Sequence, residues 1–199
     1  MGFGWVRLKA IAVTQRVMNL HYREVLWRSA GEILEVVFKY RQPIQIVVEC
    51  ILFACLLGIA LDLITANVAV EYFTVHHPHV VDSKSPWVMA LVWGSGASWW
   101  FGAIAGVVLA ALILRRSQPI LTSMIRGWMF WTCVILWLVM IGILAVSYVG
   151  IGFLPIEPKD AKFESNRRMM SVAFAHMTEY VLGVIALIIV GRKVVRQER

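Results

Sequence analysis

Four long apolar runs dominate this 199-residue chain, and they decide what it can become. Each is long enough to cross ~30 Å of hydrocarbon at ~1.5 Å per helical residue. The runs cover residues 44–66, 87–113, 127–149 and 170–190. Hydrophobic residues make up 60% of the chain and charged residues only 16%, which excludes an ordinary water-soluble domain. The expected fold class is an all-α integral membrane protein. It is a four-transmembrane-helix bundle preceded by an N-terminal amphipathic interfacial segment. The expected divisions are 1–42 for that segment, 43–191 for the bundle, and 192–199 for a basic tail.

The punctuation between the runs supports this division. Pro43 is expected to start the first span. Ser85 followed by Pro86 reads as an N-cap and first helical residue, with Trp87 as an interface anchor. Residues 150–168, GIGFLPIEPKDAKFESNRR, read as a Pro- and charge-rich loop. In the N-terminal segment, Ser29 and Glu32 have the spacing of a capping box. Ile33, Leu34, Val37 and Phe38 then form an apolar face opposed by Glu32, Glu35 and Lys39, as in a helix lying on a membrane surface.

Charge orients the spans. The N-terminal segment, the 115–126 connection and the C-terminal tail together hold 14 of the 19 lysines and arginines; the other two connections hold five. Basic residues favour the cytoplasmic side, so both termini are expected there, as in a bacterial inner membrane. The net charge of +7 is explained by membrane topology and anionic headgroups, and no motif points to nucleic acid. Cys50, Cys55 and Cys133 lie within spans and show no CxxC spacing, so they read as small apolar residues.

Small residues recur every fourth position on two spans: Cys50, Ala54, Gly58, Asp62 and Ala66 on the first, and Gly94, Ser98, Gly102, Gly106 and Ala110 on the second. Such strips let two backbones approach closely in lipid. Strip against strip within one chain is the expected packing, and a homodimer contact is the alternative.

The chemistry-bearing residues are few. An ionisable group in a span costs about 2.5–3.5 kcal/mol on insertion scales, so it needs a partner. Glu49 is near the first span's inner end, where Lys39 or Arg41 is the expected partner. Asp62 sits in the other half, on the small-residue strip. In the fourth span His176 and Glu179, three apart, share a helix face, with His176 expected at a depth similar to Asp62, Glu179 one turn deeper and Tyr180 beside it. Above them lies a loop carrying His76, His77 and His79 in the run HHPH. Imidazole and carboxylate groups suit a divalent transition metal such as zinc, copper or iron. The candidate ligands are therefore His76, His77, His79, His176, Glu179 and Asp62. HHPH matches no metalloprotease or zinc-finger spacing.

Three functional readings follow. The first is a structural or accessory subunit of a membrane complex, with a polar cluster near the outer face. The second is a metal-dependent enzyme or metal-handling protein. The third is an oligomeric proton or cation transporter. The expected surroundings are the lipid bilayer and either a partner complex or further copies of the chain. The sequence leaves open whether the chain is an enzyme.

Overall fold

The computed structural model describes residues 3–78, 80–117, 120–155 and 160–197; for residues up to 40 it describes the side chains of 22, 25–29, 32, 34–37, 39 and 40. All regular structure among the described residues is helical: α1 Phe3–Val68, α2 Val70–Val75, α3 Pro86–Leu114, α4 Thr122–Gly152 and α5 Ala161–Arg196. Four of these helices contain stretches long and apolar enough to cross a membrane: Val25–Val68 in α1, and α3, α4 and α5 throughout. The chain forms two units, Met1–Gln42 and Pro43–Arg199.

The first unit is helical, and the side chains described there are exposed, apolar Trp27 and Leu34 as much as Glu32 and Lys39. Ser29 is not a cap. It lies within α1 and donates to Val25 O at 2.9 Å, the back-bond of a serine in a helix interior. Pro43 likewise falls inside α1 instead of starting a helix. A proline removes one hydrogen bond without preventing the preceding turn from being helical.

In the second unit, α1 and α3 meet through their small residues. A Cβ on Gly58 would collide with Ser98 Oγ and the Gly94 carbonyl. One on Gly94 would come within 2.5 Å of Ile59 N, and one on Gly102 within 2.6 Å of Cys50 O. Gly106 faces Val47 Cα in the same way, at 2.6 Å. The obstacles are mostly backbone, so the two helices touch along one continuous seam from Val47 to Ile59.

Apolar residues fill the two ends, from all four long helices at one and from α1, α4 and α5 at the other. Ile46, Leu109, Ile125, Val190 and Val194 make one core. Leu61, Met140, Leu144, Val172 and Ala175 make a second, nearer α2. The termini of the elements have local causes. Asn67 Nδ2 bonds back to Leu63 O at 2.6 Å, α1 stops at Val68, and Ala69 leaves the helical region (φ −148°, ψ 84°). The chain then makes α2, which buries Phe73 with Met89 and Ala66. Ser85 and Pro86 do open α3, with Ser85 extended and Pro86 first in the helix.

The expected loop before the fourth span is largely helix. Asp160 Oδ1 accepts from Phe163 N at 2.8 Å and caps α5, which begins at Ala161. The charges that suggested a loop are satisfied on the helix surface. Glu164 accepts from Tyr148 of α4 at 2.5 Å and from Arg167 Nη2 at 3.3 Å, and the Arg167 guanidinium lies 3.7 Å over the Tyr148 ring.

Candidate functional site

The close α1–α3 seam places Asp62 one turn beyond Gly58, at the end of the bundle next to α2. Asp62 is 3% exposed, so its carboxylate must find partners inside the protein. It finds two. Thr65, one turn along α1 and fully buried, donates to Asp62 Oδ1 at 3.4 Å. His176 Nε2 of α5 lies 3.3 Å from the same oxygen and 3.4 Å from Thr65 Oγ1.

The other ring nitrogen of His176 faces Glu179 Oε2 at 3.6 Å, as the three-residue spacing on one helix allows. The imidazole therefore stands between two carboxylates. A neutral ring has one N–H and serves one of them; only the imidazolium donates to both. The arrangement has a proton-dependent hydrogen-bond pattern built into it.

Aromatic rings enclose the cluster. Tyr72 of α2 lies parallel to His176, with ring centroids 5.2 Å apart and planes 3° apart. Phe73 meets His176 edge-on at 5.9 Å. His77, just past α2, pairs its Nδ1 with Tyr72 O at 2.8 Å and sits 4.7 Å from Trp93 of α3. Burial, reinforced by the acidic groups nearby, pushes the Tyr72 phenol above its ordinary value, so it remains a neutral hydroxyl.

These groups line a cavity of about 120 Å³, with Asp62, Tyr72, His77, Trp93, His176 and Glu179 on its wall. This is room for several waters or a small polar group. Tyr180 also reaches it, and its hydroxyl donates to Ala97 O at 3.3 Å. Ser98 of the small-residue strip lines the cavity; Ser95 turns back to Leu91 O at 2.5 Å.

The candidate ligands are thus divided. Asp62, His176 and Glu179 come together, with His77 on the same wall. His76 is exposed, and His79 lies outside the described residues. No group of three or more His, Cys, Asp and Glu residues is arranged to hold a metal ion among the described residues. Thr65, Tyr72 and Trp93 complete the site without having been singled out by sequence. Thr65 alone left a trace there, three positions from Asp62 and on its face.

Glu49 belongs elsewhere. Its partners are not Lys39 or Arg41 but Arg126 of α4, whose Nε donates to Glu49 Oε1 at 2.9 Å, and Gln45 at 2.9 Å on its own helix. The cysteines are free thiols. Comparison with protein-family models, with curated proteins and with solved structures finds no match to this chain.

Proposed function

We propose that this chain is a small polytopic membrane protein that binds and exchanges a proton or cation at the Asp62–His176–Glu179 cluster. The observation that carries this reading is the cavity. A group of polar residues that only clamps helices together has no need of open space beside it, and close packing would be expected to remove that space. Here about 120 Å³ adjoins both carboxylates and the imidazole. Ionisable groups inside apolar helices are costly and mark ion or proton pathways.

The 14-to-five distribution of basic residues supports cytoplasmic termini, as in a bacterial inner membrane, with the cluster toward the outer face. The bilayer is the surrounding solvent, and association with further copies or with a partner complex is compatible with the exposed apolar faces of α3 and α4.

The test is flux. Purified protein in liposomes with a trapped pH dye, energised by a potassium diffusion potential, is expected to pass protons or a monovalent cation above the rate of empty liposomes. Asp62→Asn should abolish the excess rate, and His76→Ala should keep it. No excess rate, or an equal rate in Asp62→Asn, would leave the accessory-subunit reading in its place. A metal-handling role has one specific observation in its favour: the Nδ1 contact of His77 to a carbonyl leaves Nε2 for a ligand, the orientation common in metal sites. Stoichiometric zinc, copper or iron in the purified protein, lost in His176→Ala, would establish it.

A further inference from the structure

A second cavity shares part of its wall with the first. It is apolar, about 110 Å³, and runs between all four long helices, lined among others by Leu57, Phe101, Leu136 and Leu187. Ser98, Glu179 and Tyr180 line both cavities. Along α5 the second cavity extends from Glu179 to Val190, about 16 Å at ~1.5 Å per residue. Ala54, Ala105 and Ala186 are among the small residues that line it. One cavity is lined by polar groups and the other mostly by apolar ones.

The polar cavity is selective in charge. Two carboxylates and one imidazole line it, and no lysine or arginine lines either cavity among the described residues. An anionic head would meet Asp62 and Glu179 without a fixed positive charge to offset them. A cationic head meets both carboxylates and the ring faces of Tyr72, Phe73 and Trp93, which attract cations.

We infer that the two cavities form one binding site for a lipophilic amine or quaternary ammonium compound, its cationic head between Asp62 and Glu179 and its aliphatic tail in the apolar cavity. The inference rests on the proton- or cation-exchange reading and names its organic substrate class. The bound cation and the His176 ring then face the same two carboxylates. The groups facing His176 are Asp62 and Thr65 from α1, Tyr72 and Phe73 from α2, and Glu179 from its own helix.

Three probes with one tail separate head from tail: dodecyltrimethylammonium, dodecanol and dodecanoate. Binding is measured by titration calorimetry on the protein in phosphatidylcholine nanodiscs, with empty nanodiscs subtracted. The ammonium should bind about tenfold or more tighter than either of the others, a margin of ~1.4 kcal/mol. Glu179→Gln should lower its affinity by about tenfold, with the same unfolding temperature to within a few degrees. Ala186→Leu narrows the apolar cavity and should weaken dodecyltrimethylammonium more than butyltrimethylammonium. Affinity that is equal for the three heads, or higher for dodecanoate, overturns the inference, as does an ammonium affinity unchanged in Glu179→Gln. Proton flux lost in Asp62→Asn together with no ammonium preference would refute this substrate class alone. Absence of flux in the wild type would refute the exchange reading itself.

Discussion

Among the described residues, two charged contacts tie α1 to another helix, one toward each end, and they are built differently. Glu49 meets Arg126 of α4, a cation that stays charged at any physiological pH, and Gln45 adds a further donor. The Arg126 side chain is 48% exposed. Asp62 meets His176 of α5, and both are largely enclosed. The His176 ring has a carboxylate on each side and a cavity beside it. A guanidinium pair is a fixed strut. An imidazole between two acids is a contact that a proton or a competing cation can rearrange.

The comparison can be broken most severely at the α1–α3 seam on which both pairs depend. Gly94→Leu should prevent folding, because even a Cβ there comes within 2.5 Å of Ile59 backbone, and no flexible side chain can yield. Overpacking typically costs roughly 1–3 kcal/mol or more, and a backbone clash belongs at the upper end. Loss of the monodisperse peak in detergent chromatography is the expected result; Gly96→Leu, where nothing lies within 4 Å, should leave it intact.

Next in size is Asp62→Leu. It removes one partner of a buried pair and leaves Thr65 and His176 facing an apolar group. Breaking such pairs costs about 3–5 kcal/mol in soluble proteins, and a large fall in unfolding temperature is expected. Asp62→Asn keeps shape and a hydrogen-bond acceptor, so its fall should be clearly smaller. Tyr72→Leu should cost less again, about 0.5–1.5 kcal/mol for the lost ring stacking on His176, measured by thermal unfolding. Glu49→Gln should show the smallest effect, since Arg126 retains access to water and the amide still accepts a hydrogen bond. A larger loss of unfolding temperature in Glu49→Gln than in Asp62→Asn would reverse the contrast drawn between the two pairs.

How far the sequence foretells this depends on the range of the interaction. The four apolar stretches are legible because hydrophobic length is a property of contiguous residues. The Gly58–Gly94 seam is legible because a four-residue period places small residues on one face before any partner is known. The approach of Asp62 to His176 follows from cost alone: two ionisable groups at one depth in apolar helices have few other partners. Glu49 shows the limit of the same argument. Cost demands a cation, but which cation depends on how α4 packs, and Arg126 is 77 residues away in sequence. Ser29 and Glu32 have a capping pattern that an uninterrupted helix overrides. The start of α5 is hidden by its charges, which mimic a loop until Tyr148 and Arg167 are seen to satisfy Glu164. Tyr72 reaches the site through the break at Ala69 that starts α2, and Trp93 through the packing of α3 against it, neither of which has a periodic signature.

The central claim is that one acidic pair is exchangeable and the other is fixed. Proton flux in liposomes, compared between Asp62→Asn and Glu49→Gln at matched protein density, tests it most directly. The account predicts flux at the wild-type rate in Glu49→Gln and at the empty-liposome rate in Asp62→Asn. Equal rates in the two variants, whether both retained or both lost, would contradict it.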